Sequence, residues 1–186
     1  MKDWFILSLD PSGNWFEGKG TTGWCVFSTA DKRVTLAGNI FAGSYPSAES
    51  YWAAHIALLA KLKSRYKSRF AVVVEDYLLY ASKAGDQINS RMETPKLIGT
   101  LQLWAYQNHV PLLLEPASAV KTRWSNTILH HKGYIRNTRR GYEIPGVDAA
   151  ATRHCLDAVR HAVHVATFRL EDVQNAYKRC RTHGDM

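Results

Sequence analysis

The hydrophobic pattern changes period several times along the chain, and each change marks an element. Trp4 to Asp10 (WFILSLD) is a short apolar run ending in an acid; it predicts a buried strand, broken by Pro11-Ser12-Gly13-Asn14. After a loop through Gly18, Gly20 and Gly23, the segments Trp24 to Ser28 and Val34 to Ala42 predict two further strands around the Asp31-Lys32-Arg33 turn. Together these make a three-stranded antiparallel meander. Ser47 to Lys67 carries Trp52, Ile56, Leu59 and Leu62 at helical spacing, with Ser47 as its cap. Phe70 to Glu75 (FAVVVE) is a β-branched run suited to a central strand covered on both faces, and it too ends in an acid. Residues 80–93 are polar and show no clear period. A helix is expected from Thr94 to Asn108, with Pro95 in its first turn, then a strand from Val110 to Glu115 and a helix from Ala117 to His131. Lys132 to Gly146 has no periodicity and reads as a mobile basic loop. Val147 to Phe168 is the final helix, and residues 169–186 read as a polar tail.

Strands and helices alternate in the second half, which demands parallel pairing through helical crossovers. The class is α/β: a mixed central sheet, three antiparallel strands then parallel strands, flanked by helices. One domain over residues 1–168 suits the length of 186 residues. With 46% apolar and 22% charged residues, the composition excludes a disordered polypeptide, and no apolar run is long enough to span a membrane. Asp3 and Asp10 bracket a stretch too short for a signal peptide, so no secretory leader is expected. Cys25, Cys155 and Cys180 are odd in number and lack metal spacing, which predicts reduced thiols in a cytoplasmic protein.

The net charge of +8 is uneven: residues 121–186 carry 12 basic and 6 acidic side chains and six of the eight histidines. That points to a polyanionic partner. The acids narrow the chemistry. Asp10 and Glu75 each end a strand, where ligands of open α/β sheets bind, and adjacent strands would bring the two carboxylates together. Each acid alone reads equally as a solvated strand end. On the last helix, at 100° per residue, His154, Asp157, His161 and His164 fall within about 80° of one another. Leu156, Val159, Val163 and Ala166 lie opposite. A solvated polar face accounts for this pattern too, and a zinc site built from His154, Asp157 and His161 is geometrically possible. One carboxylate or imidazole from this helix, added to Asp10 and Glu75, would complete an oxygen-rich site for one or two Mg²⁺ ions acting on a phosphodiester.

Several segments occur in an order that carries a resemblance: LSLDPS (7–12), TGWCVF (22–27), VVVED (72–76), PKLIG (95–99), VPLLLEPASAVK (110–121) and HCLDAVRHA (154–162). The chain resembles the RuvC family of Holliday-junction resolvases, nucleases of the RNase H-like fold, especially its bacteriophage-type members. The resemblance spans residues 6–168. It implies that Asp10, Glu75 and Asp157 hold Mg²⁺ or Mn²⁺. His154 falls where members carry Asp or His, as a fourth ligand or a proton-transfer group. It also implies a symmetric homodimer, joined through the 80–108 region, that nicks two opposed strands of a four-way junction and leaves 5′-phosphates.

Two departures stand out. The loop between Asp10 and Gly23 holds about five extra residues, around Trp15 to Thr21. The aromatic wedge that cellular members place after the strand-end acid falls on Leu78, with Tyr77 and Tyr80 beside it. Expected DNA contacts are Ser12, Tyr77, Tyr80, Lys121, Arg123, Lys132, Arg136, Arg139, Arg140 and Arg160. Arg160 could equally form an ion pair, and either Arg160 or His161 could hold a phosphate. Trp15 is the tryptophan expected to be exposed.

Overall fold

The computed structural model describes residues 3–77, 92–139, 141–147 and 151–182. Its centre is a five-stranded mixed sheet in the order β3-β2-β1-β4-β5, built from β1 (Phe5–Asp10), β2 (Thr21–Ser28), β3 (Arg33–Phe41), β4 (Phe70–Asp76) and β5 (Leu112–Pro116). β1, β2 and β3 pair antiparallel, as the meander predicted, whereas β1–β4 and β4–β5 pair parallel. The mixed α/β architecture expected from the sequence is present.

Side chains alternate across this sheet. Leu7, Leu9, Val72 and Val74 face α1 (Ala48–Tyr66) and α2 (Glu93–Gln107) and form one core with Leu59, Leu97 and Leu101. Ile6, Cys25, Phe27, Ala71 and Val73 face the other way, onto α5 (Arg153–Phe168). Ser47 caps α1 through a reciprocal box with Ser50, as its position suggested.

β2 reaches back through Gly23 to Thr21, inside the expected loop, and the structure departs from the sequence reading at four further places. The helix expected over 117–131 is two, α3 (Ala117–Arg123) and α4 (Asn126–His131), because the Ser125 side chain accepts from the Ile128 amide and starts a new helix. The last long helix begins at Arg153 rather than Val147, where Thr152 Oγ1 accepts from the Cys155 amide. The basic segment 132–146 holds a small hairpin of β6 (Arg136–Thr138) and β7 (Gly141–Glu143), fastened by the buried side chains of Ile135 and Ile144. Val147 to Phe168 is not the final helix: the polar segment after Arg169 forms α6 (Leu170–Thr182), docked through Val173 and Ala176, with the Tyr177 ring edge-on to Trp4. Among the described residues no helix is long and apolar enough to cross a membrane.

Candidate metal centre

The sheet register sets the first two carboxylates. Leu9 pairs with Val74 across the parallel β1–β4 ladder, so Asp10 and Glu75 end neighbouring strands. Both lie on the face of Ile6 and Val73, the α5 face. The third acid comes from α5 itself, which rests close on the sheet because Gly23 lies beneath its first turn. A Cβ at Gly23 would stand 2.1 Å from the His154 carbonyl carbon and 2.2 Å from the Cys155 nitrogen. From Cys155 to Val165 every residue except Arg160 is buried, so Asp157, His161 and His164 are packed in rather than solvated, while His154 stays partly exposed.

Asp10, Glu75 and Asp157 each bring a carboxylate oxygen to a place where all three atoms lie within 4.8 Å of one another. Like charges this close repel, and the effect is visible in Asp10: burial first, and the neighbouring Glu75 and Asp157 after it, push its carboxyl above the usual range, against the bond from His154. Nδ1 of His154 lies 2.7 Å from Asp10 Oδ2. That bond, with the charge of Asp10, raises the His154 pKa against the opposing effect of burial. His154 thus adjoins the three-oxygen cluster by way of Asp10.

Glu75 is held at both oxygens. His161, wholly buried, places Nε2 2.9 Å from Oε2, and Lys121 places Nζ 3.2 Å from Oε1. Burial alone would raise the Glu75 carboxyl, but these two partners bring it below its ordinary value. Lys121 Nζ also lies 3.1 Å from Asp157 Oδ2, so one ammonium bridges two of the three acids. Burial disfavours its charge, yet both carboxylates more than offset this and raise its pKa. A cation already sits among these oxygens, and buried carboxylates around a positive centre are the donor set that hard divalent ions take. Asp10, Glu75 and Asp157 therefore fit such an ion.

The other sequence candidates sort by position. Arg160 takes the ion-pair alternative: its guanidinium pairs with Asp157, bonds the Asn126 side chain, and donates Nε to the Trp124 carbonyl at 2.9 Å. His161 meets Glu75, and its side chain is fully buried. With His161 on Glu75 and His154 on Asp10, the zinc set drawn from α5 alone is not assembled. Lys121 points into the acidic cluster, a placement its sequence surroundings did not foretell. Arg123 is exposed and lies over the Phe168 ring at 4.5 Å, while Lys132, Arg136 and Arg139 are exposed on and beside the hairpin. Tyr77 is half-buried against the α1–α2 core. Tyr80, Leu78 and Arg140 lie outside the described residues. Trp15 is half-buried, with Nε1 donating to the Tyr45 carbonyl at 2.9 Å; its neighbour Phe16 is the exposed ring.

The turn after Asp10 is fixed from behind. Ser12 gives its carbonyl to the Tyr51 hydroxyl at 2.7 Å and its amide to Thr22 Oγ1 at 3.3 Å. Thr22 in turn meets Nε2 of the fully buried His55 at 2.8 Å. Burial pushes the His55 pKa down to about 4. Gly13 allows close approach to the Glu93–Thr94 backbone, where a Cβ would stand 2.2 Å from the Glu93 carbonyl carbon. No sequence motif announced this Tyr51–Thr22–His55 group. Its one legible trace is a histidine on the apolar face of α1.

No protein-family profile matches the sequence. No curated protein matches it significantly. Solved structures do. Thermus thermophilus RuvC in complex with a Holliday-junction substrate is similar over 91% of this chain and 97% of its own, at 15% identity and a TM-score of 0.61. A second Thermus thermophilus RuvC structure covers 90% of this chain and 96% of its own, at 16% identity and a TM-score of 0.57. The chain therefore has the RuvC-like, RNase H-type fold, as the ordered sequence segments implied.

Proposed function

We propose that this chain is a divalent-metal-dependent, structure-selective endonuclease that resolves four-way DNA junctions by paired symmetric nicks, leaving 5′-phosphates. The observation that carries this reading is the convergence of Asp10, Glu75 and Asp157 within 4.8 Å at the strand ends of a RuvC-like sheet. These three acids would hold Mg²⁺ or Mn²⁺, two ions per site, with His154 as a fourth ligand or a proton-transfer group. Divalent ions at such a site activate water and offset the charge that develops on the phosphodiester. The protein's own part is to orient the acids: His161 and Lys121 fix Glu75, Arg160 fixes Asp157, and His154 fixes Asp10.

Four-way DNA is the substrate of this reading, in keeping with the junction bound by the similar Thermus protein. Exposed Arg123, Lys132, Arg136 and Arg139 supply the phosphate contacts, with Ser12 and Tyr77, each two positions after a strand-end acid in the sequence, as further contacts. A symmetric homodimer suits paired nicks. On α2, Leu103 is 57% and Tyr106 74% exposed, one helical turn apart, while Leu97 and Leu101 are buried behind them; this strip is the surface offered to a second copy.

The test is to map cut sites on a mobile four-way junction with Mg²⁺ and with Mn²⁺, beside Y-forks and plain duplex. Symmetric paired nicks on the four-way substrate support the reading; cutting spread over forks and flaps would instead mark a broader debranching nuclease of the same fold. Asp10→Asn is expected to abolish cleavage and leave junction binding intact. Wild-type protein that binds branched DNA but nicks nothing with either metal would be a non-catalytic nucleic-acid-binding module.

A further inference from the structure

A cleft of about 530 Å³ opens beside Asp157, within the range of ligand-binding cavities and ample for one nucleotide. Three separate elements wall it: the α3–α4 corner gives Lys121 and Asn126, the β6–β7 hairpin gives Tyr142, and the first turns of α5 give Arg153, Asp157 and Arg160. The wall chemistry is mixed in a way that suits few ligands. There is one aromatic ring, one amide, three cations, and a carboxylate shared with the acidic cluster.

We propose that this cleft is a nucleotide subsite, which takes one unstacked nucleotide of the strand being cut, its base against the Tyr142 ring and its phosphates toward Lys121 and Arg153. The proposal rests on the nuclease reading above and names what that site holds beside the scissile bond. Tyr142 is half-buried, packed on the main core while lining the cleft, so its ring is a backed and rigid platform. A base inside a duplex offers its edge and keeps its faces stacked; a ring like this is met by a base that has left the stack. Asn126 has its amide oxygen engaged by Arg160, which leaves its amide nitrogen as a donor for the acceptor atoms of a base. Arg160 itself is locked by Asp157 and the Trp124 carbonyl, so the wall between cleft and acidic cluster holds its shape. The junction centre, where strands exchange between helices, is where unstacked nucleotides are on offer.

The experiment pairs a change in the DNA with a change in the protein. Four-way junctions carry a single abasic residue at each position flanking the mapped cut in turn, and are cleaved by the wild-type chain, Tyr142→Phe and Tyr142→Ala. At one position the abasic residue is expected to lower wild-type kcat/KM roughly 10- to 100-fold, in line with the stacking of one base on an aromatic side chain. Tyr142→Ala lowers it by a similar factor on the intact junction and adds nothing on that abasic junction; Tyr142→Phe behaves as wild type. Abasic residues tolerated at every position, or losses that multiply, overturn the subsite. A wild-type chain that cuts no branched DNA at all overturns the nuclease reading and the subsite with it. The DNA arm needs no protein variant, so misfolding of Tyr142→Ala does not blunt the test.

Discussion

The fully buried imidazole of His161 meets the carboxylate of Glu75 at 2.9 Å. A buried partner on one oxygen and Lys121 on the other leave Glu75 a single orientation. Second-layer bonds of this kind are worth about 10- to 100-fold in metal affinity or activity. His161→Leu is therefore expected to raise the Mg²⁺ concentration for half-maximal cleavage by such a factor, with junction affinity in Ca²⁺ unchanged, and His161→Gln to recover part of the loss. A metal requirement that does not move would make His161 a packing residue alone.

Lys121 stands between Glu75 and Asp157, and its removal leaves those acids without their common counter-charge. Its side chain is 38% exposed, so water screens both pairs and the loss is on the order of 1 kcal/mol. In EDTA, the melting temperature of Lys121→Gln should fall by about 2–4 °C. Added Mg²⁺ should restore more stability to the variant than it gives the wild type, because the ion then relieves the larger repulsion. Equal Mg²⁺-induced shifts in calorimetry would contradict the bridging role.

His55 makes stability depend on pH. Its pKa is about 4 in the folded chain against 6.5 when unfolded, so it is neutral in the native state throughout the neutral range. As pH falls below 6.5 the unfolded chain takes up a proton that the folded chain refuses, and stability drops until about pH 4, by up to roughly 3 kcal/mol. His154 acts in the opposite sense: its pKa is raised on folding, so its contribution is present below 6.5 and fades as pH rises through the folded value. The measurement is thus a difference, urea unfolding of wild type against His55→Gln from pH 7 to pH 4.5. The gap between them should shrink as the pH falls; a constant gap would contradict the burial argument.

Arg136 and Arg139 project from the β6–β7 hairpin into solvent. If each touches one phosphate, replacing either by Ala weakens junction binding for every DNA sequence alike and lowers the salt-dependence slope by about 1. The readout is log Kd against log salt concentration. A slope that stays put would place the hairpin away from the DNA.

The acidic cluster was legible in the sequence because two acids end apolar strand segments and the third shares a helix face with histidines. Its supports were not. Lys121 and Glu75 are 46 positions apart, and His161 and Glu75 are 86 apart, so these partners are chosen by packing and no local pattern encodes them. The α3–α4 break had a local signal in Ser125, a good cap inside an otherwise helical segment. So had α6: Val173, Ala176 and Tyr177 recur at helical spacing, but the polar residues between them hide a three-residue stripe. The hairpin was hidden for another reason. Its fully buried anchors are Ile135 and Ile144, and two apolar residues nine positions apart show no period.

Asp10, Glu75 and Asp157 come from the first strand, the fourth strand and the helix next to last, so the cluster gathers nearly the whole length of the polypeptide. Contacts this distant form late in folding. A ribosome-bound chain that has laid down its first four strands has two of its acids and no third. The three-acid cluster closes only once Asp157 has been made, and a fragment ending before residue 121 would lack both that acid and the exposed Arg123, Lys132, Arg136 and Arg139.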